Sequence, residues 1–269
     1  MPEGDTIHKV ALYLRPRLVG ESLQPPPKPL PPSVATLSGD RVQSVSAVGK
    51  HLIIATDLRS LQVHLGMRGT WHHYRRRERW KVSESQARVV LTARCGVLVC
   101  FRAPQVTVRL RKQSNPPSSV GRLGPDILAP DVDFPGLVRR ARRFSAASPL
   151  IIDMLLDQQI ACGIGNAFKS EILFLEQVKP TATVDSLSDA VLLRLFQRAR
   201  TIMVPNLSGG PRTTTVDISR YVRPNHLPRY WVYGRRHEPC LTCGSRIERS
   251  IMGRHSRVTY WCNTCQTVS

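Results

Sequence analysis

Four cysteines near the C-terminus fall in two pairs of equal spacing: Cys240 and Cys243, then, after eighteen residues, Cys262 and Cys265. Two such knuckles place four thiolates tetrahedrally about a metal ion, with the stretch between them folding as a hairpin. One structural Zn²⁺ is the expected ion. With four thiolate ligands it has no open position for catalysis, so it specifies a scaffold and not a reaction. The same hairpin carries Arg246, Arg249, Arg254 and Arg257. Arginines presented this way grip phosphates, although an exposed arginine is by itself usually only solvated.

A second candidate is Gln159-Ile160-Ala161-Cys162-Gly163-Ile164-Gly165-Asn166. Two glycines permit a tight connection with positive φ. The amides at the start of a following helix favour an anion such as phosphate. Asn166 is expected to cap that helix and offer its side-chain amide to a phosphate oxygen. Standing alone, the stretch reads equally as an ordinary turn between helices. The N-terminus is the third candidate. Proline at position 2 favours removal of Met1, which exposes a secondary amine. An α-amino group titrates near pKa ~8, so a useful fraction is neutral and nucleophilic at neutral pH. A nearby cation such as Lys50 enlarges that fraction. Attack on an aldehydic carbon gives an iminium that drives elimination next door, with Glu3 placed to act as general acid. Met-Pro-Glu alone identifies nothing, since many proteins begin this way.

The bulk composition supplies the context. The chain has 269 residues, 39 Lys and Arg against 19 Asp and Glu, a net charge of +20 and 41% hydrophobic residues. That length buries a real core and favours two domains with a small metal module added. The charge points to a polyanion, whether DNA, RNA or an anionic membrane surface. The basic residues cluster, as at Arg75, Arg76, Arg77 and Arg79 and again at Arg139, Arg140, Arg142 and Arg143. No apolar run reaches the length of a membrane span, and the N-terminus lacks the pattern of a signal peptide. A cytoplasmic, nucleoid-associated monomer without a membrane partner is expected. Seven cysteines, four of them in close pairs and Cys95, Cys100 and Cys162 single, fit a reducing compartment with a metal site.

The elements that position these groups follow from periodicity. Asp5 reads as an N-cap, and Ile7, Val10, Ala11, Leu14 and Leu18 recur at helical spacing, predicting a helix over 6–18. Pro25 to Pro32 is a loop. From Arg41 to Leu110 short β-branched runs broken by turn residues predict a β-sandwich. The stretch 115–133 reads as a linker. Beyond it the period is helical, with one helix around Leu150–Leu155, a second starting at Asn166 and a third over Leu187–Ile202. The expected class is α+β: a β-sandwich domain over 1–120 with an N-terminal helix, a helical domain over 130–225 and a four-cysteine zinc hairpin over 235–269.

Together these segments resemble the formamidopyrimidine-DNA glycosylase/endonuclease VIII family of base-excision repair enzymes. The resemblance rests on Met1-Pro2-Glu3-Gly4-Asp5, Gly49-Lys50-His51-Leu52, His64-Leu65-Gly66-Met67, Gly163-Ile164-Gly165-Asn166 with Lys169-Ser170-Glu171, Val232-Tyr233-Gly234-Arg235, and the cysteine hairpin ending in Gln266. It implies a helix-two-turn-helix in the helical domain and damaged DNA as the partner. The damaged nucleotide is turned out into a pocket between two domains. Pro2 attacks C1′ with Glu3 as acid, and β- then δ-elimination leaves a one-nucleotide gap. The resemblance places Lys50, Asn166 and Arg257 on phosphates around the flipped nucleotide, with Lys50 and Arg257 counted in the catalytic set. It places Lys169 and Arg254 among the DNA contacts and Met67 as a wedge in the base stack. Read from the residues alone, Met67 is a core side chain.

One departure concerns the base opposite the lesion. The formamidopyrimidine branch probes it with a Pro-Arg-Arg-Phe-type loop, and here the region reads Phe101-Arg102-Ala103-Pro104-Gln105-Val106-Thr107. With Gly4-Asp5-Thr6 this favours the endonuclease VIII branch and oxidised pyrimidines, whereas Leu65-Gly66-Met67 looks like the other branch. A catalytically silent DNA-binding protein of the same fold is the alternative, and it has no need of Pro2, Glu3 and Lys50 together. A metal-dependent nuclease would require an open cluster of Asp, Glu and His that the sequence lacks. His72 and His73 alternate faces on a strand and read as surface residues.

Overall fold

The computed structural model describes residues 2–111, 120–144, 149–215 and 228–269, and the chain divides into two compact units, Met1–Arg122 and Leu123–Ser269. In the first unit α1 spans Gly4–Leu18 and buries Ile7, Ala11, Leu14 and Leu18 against β1 (Val42–Val48) and β2 (His51–Thr56). Its N-cap is Glu3, not Asp5: the Glu3 amide donates to Thr6 Oγ1 at 3.4 Å, and Asp5 lies buried in the first turn. The expected cap was one of two acids two residues apart, and composition does not separate them.

β3 (Arg59–His64) and β7 (Gln105–Leu110) complete a four-stranded antiparallel sheet of order β1-β2-β3-β7. β4 (Thr70–Tyr74), β5 (Ala87–Ala93) and β6 (Gly96–Phe101) form a second sheet of order β4-β6-β5. Leu52, Ile54, Leu61 and Val63 from one sheet meet Val89, Leu91, Leu98 and Cys100 from the other in a shared core, the sandwich that the alternation predicts. The outer face of the second sheet is covered by Leu30, Val34, Trp80 and Val82.

The second unit contains α2 (Phe134–Phe144), α3 (Ile151–Leu156), α4 (Asn166–Leu175), α5 (Asp189–Met203) and the hairpin β8 (Ile247–Met252)–β9 (Arg257–Cys262). The stretch expected as a linker is part of this unit from Leu123 on. Ile127 and Leu128 are buried, and the Ile127 amide donates to the Cys162 carbonyl at 3.1 Å. Helix α2 was not read from the sequence, because four arginines interrupt it and, among the residues whose burial is described, its buried apolar residues are Leu137, Val138 and Ala141.

Helix α4 is buried from Asn166 to Phe174, and its polar residues hold the chain around it. Glu171 is fully buried and accepts from the amides of Trp231 (2.8 Å), Val232 (2.9 Å) and Tyr233 (2.8 Å), and from Thr214 Oγ1. Glu171→Ala strands these four donors. The expected loss is on the order of 3–5 kcal/mol, given ~1.5–3 kcal/mol for a hydrogen bond to a charged group and strong non-additivity. Urea denaturation followed by tryptophan fluorescence measures it, and a loss below ~1 kcal/mol would show that Glu171 does not hold this segment.

Candidate functional site

In the first unit the candidate groups sit on two tight turns and a helix start. Pro2 is half-buried and Glu3 fully buried, immediately before the positive end of α1. Lys50 occupies the two-residue turn Gly49-Lys50 joining β1 to β2, with Val48 paired to His51. Gly49 has φ +55°, as a turn with glycine in its first central position requires. That conformation fixes where the half-buried Lys50 departs from the sheet.

Beside it, His51 and His64 pair across β2 and β3 with ring centroids 4.9 Å apart. Gln62 Nε2 lies 2.8 Å from His51 Nδ1. Burial, then the neighbouring His64 and Lys50, lowers the His51 pKa to about 4, and burial with Lys50 lowers that of His64.

Met67 is the other projecting group, exposed at 68% and so not a core residue. The turn Leu65–Gly69 closes with the Gly69 amide on the Leu65 carbonyl at 2.8 Å. Gly66 has φ +58°, and a Cβ there would meet Pro104 Cγ at 2.7 Å; a Cβ on Gly69 would collide with the Leu65 carbonyl oxygen. Both glycines are therefore required to present Met67 and Arg68 to solvent. Pro104 belongs to the three-residue link Arg102-Ala103-Pro104 that carries the chain from β6 in one sheet to β7 in the other, with Ala103 fully buried.

In the second unit the turns between α3 and α4 are stapled by Gln158. Its Nε2 donates to the carbonyls of Leu156 (2.7 Å) and Ile164 (3.1 Å), and its Oε1 accepts from the Gly163 amide at 3.1 Å. Gly163 has φ +109°. The α4 cap is Gly165, not Asn166, which is the first helical residue. Asn166 is mostly buried: one N–H of Nδ2 donates to the Val258 carbonyl at 2.8 Å, and Oδ1 accepts from Lys169 Nζ at 2.9 Å. Lys169, expected on the DNA surface, is fully buried and also donates to Thr259 Oγ1 at 2.7 Å. Both side chains hold β9, the strand that begins at the exposed Arg257.

The hairpin's turn is seated as well. The Arg254 amide donates to both carboxylate oxygens of Asp153 at 3.0 and 3.2 Å, while Arg254 Nη2 reaches Asp157 Oδ2 at 2.7 Å. Gly253 has φ +75°, and a Cβ there would meet Asp153 Oδ1 at 2.5 Å. Asp153 and Asp157 were missed in the sequence, where their i,i+4 spacing was the only sign of a common role. The exposed Arg254 and Arg257 thus stand on a hairpin fixed to α3 and α4.

At the other end of the hairpin the sulfurs of Cys240, Cys243, Cys262 and Cys265 lie within 4.8 Å of one another, with 3.8 Å from Cys240 to Cys265 and 3.5 Å from Cys243 to Cys262. A tetrahedron of sulfurs at ~2.3 Å from zinc has edges of about 3.8 Å. Hydrogen bonds at Ser245 draw the Cys243 thiol down to about 6, whereas desolvation and the other thiols push Cys262 and Cys265 up. Four thiolates this close need a cation between them, and these residues fit one.

Models of two domains match the chain: the formamidopyrimidine-DNA glycosylase N-terminal domain over residues 1–109 and the formamidopyrimidine-DNA glycosylase H2TH domain over residues 123–217. The DNA-(apurinic or apyrimidinic site) lyase Nei2 of Mycolicibacterium smegmatis is 37% identical, with 100% of both chains covered. The chain belongs to the formamidopyrimidine-DNA glycosylase/endonuclease VIII family. Another member, the formamidopyrimidine-DNA glycosylase of Thermus thermophilus, is 31% identical over 99% of this chain and 98% of its own. The crystal structure of the MutM (Fpg) protein from Thermus thermophilus has a TM-score of 0.77 at 27% identity, covering 98% of each chain. The Lactococcus lactis formamidopyrimidine-DNA glycosylase bound to DNA containing an abasic site shares the fold, with a TM-score of 0.79 at 21% identity and coverage of 99% and 100%.

The histidine pair gives this family member a definite pH response. The unfolded chain protonates His51 near pKa ~6.5, whereas the folded chain holds it neutral down to about 4. Stability is therefore full above ~6.5 and is lost as pH falls from there toward 4. Thermal melts between pH 7.5 and 4.5 are expected to show this decline, and His51→Asn to flatten it. A decline equally steep in the variant would remove the assignment.

Proposed function

We propose that the chain is a bifunctional DNA glycosylase and AP lyase that excises oxidised bases, pyrimidines foremost, through the secondary amine of Pro2 after loss of Met1. The observation that carries this reading is the placement of Pro2 and Glu3 at the start of α1, in a member of this family. The positive end of the helix disfavours the protonated amine, which increases the nucleophilic fraction. Pro2 nitrogen bonds to C1′ as the base leaves with the bonding pair and takes up the proton that Pro2 gives up; Glu3, buried next to it, then protonates the ring oxygen as the C1′–O4′ bond breaks, leaving an iminium between Pro2 and C1′. Loss of a C2′ proton then breaks the C3′–O bond, and a second elimination breaks the C5′–O bond. The DNA is left with phosphates on both sides of a one-nucleotide gap.

Lys50, rigidly carried on its turn, and the exposed Arg257 supply cations for the phosphates, and Arg254 exchanges its Asp157 partner for a phosphate when DNA binds. Lys169 acts by positioning β9, while Asn166 holds β9 with one amide N–H and offers the other to a phosphate oxygen. Met67 fills the space left by the extruded nucleotide, and an apolar group exposed at 68% on a turn built around two glycines supports that role. The preference for oxidised pyrimidines is supported by the short link Arg102–Pro104 and by the similarity to Nei2 and to Endonuclease 8 2 of Mycobacterium tuberculosis, 36% identical over 99% of this chain. Cys240, Cys243, Cys262 and Cys265 would hold one Zn²⁺, which supplies rigidity to the hairpin when bound. Elemental analysis of the purified chain should find one zinc per molecule, and Cys243→Ala should lose it.

Borohydride reduction in the presence of DNA with an abasic site or thymine glycol tests the mechanism. A covalent adduct that maps to Pro2 is expected. Pro2→Gly should slow strand cleavage by at least tenfold and leave binding nearly unchanged. No adduct from folded, DNA-binding wild type would overturn the reading in favour of a silent binder.

A further inference from the structure

Among the described residues, eight arginines form an ion pair with an acidic side chain. Arg59 pairs with Asp40, Arg94 with Glu21, Arg142 with Asp189, Arg194 and Arg198 with Glu176, and Arg254 with Asp157. The segment Arg75-Arg76-Arg77-Glu78-Arg79-Trp80-Lys81 is different. All five of its cations are exposed, and among the described residues none forms an ion pair. Its one acid is spent internally: Glu78 Oε2 accepts from the Arg75 amide at 2.9 Å, closing a turn whose Glu78 amide returns to the Arg75 carbonyl at 3.1 Å. Arg76 Nη2 donates to Gln24 Oε1 at 2.5 Å.

A solvated run of charge is usually just a soluble surface, but this one is held in place. Trp80 stacks on the buried Tyr74 at 6.0 Å between centroids and meets Phe101 edge-on at 5.7 Å. The Lys81 amide donates to Tyr74 Oη at 3.1 Å, and Lys28 Nζ sits 4.6 Å over the Trp80 ring. An anchored aromatic thus fixes both ends of a seven-residue loop bearing five cations and one carboxylate. Fixing like charges together costs free energy unless something anionic meets them. None of the exposed large hydrophobic residues lies in the loop. A protein partner would need an apolar centre there, whereas a phosphate backbone needs only cations.

We infer that the Arg75–Lys81 loop is a second DNA-binding surface, gripping backbone phosphates of the duplex outside the lesion. The inference rests on DNA being the substrate. Its position within the first unit sets the distance. Strand β4 separates the Met67 turn from the loop, and its five residues span about 13 Å at ~3.3 Å per residue. That is the axial length of about four base pairs. Laid along the duplex, that span places the loop on one flank, about four pairs from the wedge.

The test uses the full chain, metal-loaded, as wild type and as Arg75→Ser/Arg77→Ser/Arg79→Ser. Binding is measured by fluorescence anisotropy at several KCl concentrations on duplexes with a tetrahydrofuran abasic analogue flanked by three pairs on one side and twelve on the other, in both orientations. On one orientation the variant should bind roughly tenfold more weakly, with a salt slope smaller by about 0.9 for each phosphate no longer neutralised, two to three in all. On the other orientation the two proteins should agree, and single-turnover cleavage at saturating enzyme should be unchanged. Identical affinities and slopes on both duplexes would overturn the inference. So would a weakening confined to polyglutamate, single-stranded RNA or anionic vesicles. Undamaged 25-pair duplex separates this surface from the catalytic reading: a slope difference there with no borohydride adduct on damaged DNA keeps the surface and removes the lyase.

Discussion

Helix α4 buries a lysine and a glutamate that would be ruinous in an apolar core without partners, and the second unit is organised around satisfying them. Glu171 draws in the backbone of Trp231 to Tyr233, and Lys169 draws in Val258 and Thr259. Asn166 adds a bond to the same strand, and Ser170 Oγ accepts from the Tyr260 amide at 3.4 Å. Phe174, at the far end of the helix, packs with Cys240, Ile247 and Cys262 beneath the sulfur cluster. Removing either charge leaves orphaned backbone groups on one side and a misplaced hairpin on the other. The polar face of α4 therefore determines where Arg254 and Arg257 stand.

The first unit reaches precision by a different route. Its candidate groups lie on turns too short to move: two residues at Gly49-Lys50, and a turn at Leu65–Gly69 whose glycines admit no side chain. The sandwich beneath them has a core shared by both sheets, so the turns inherit its rigidity. Small residues here act as geometry, because each lets backbone or proline approach closer than a Cβ permits.

Much of this was legible in the sequence where the signal was periodic or stoichiometric. Ile7, Ala11, Leu14 and Leu18 predicted the buried face of α1, and the cysteine spacing predicted the sulfur cluster. Strands β5 and β6 were read from their β-branched runs. What escaped was anything decided by a distant partner. Lys169 reads as a surface cation because two of its acceptors, the Val258 carbonyl and Thr259 Oγ1, lie about ninety positions further on. Asn166 carries no local sign of its bond to the Val258 carbonyl. Helix α2 was hidden by its arginines, one of which, Arg142, is spent on the carbonyls of Val184 and Leu187.

The long reach of those bonds bears on how the chain acquires its structure during synthesis. Asn166 and Val258 are 92 residues apart, and closing a loop of that length costs about 4 kcal/mol of chain entropy before any contact repays it. Until Thr259 has been translated, Lys169 has no acceptor on β9. The ribosome thus delivers α4 before Lys169 can reach its acceptors on β9, and the helix reaches its final environment only after nearly the whole polypeptide has emerged. Co-translational folding can complete the sandwich early, but the surface that carries Arg257 is assembled last.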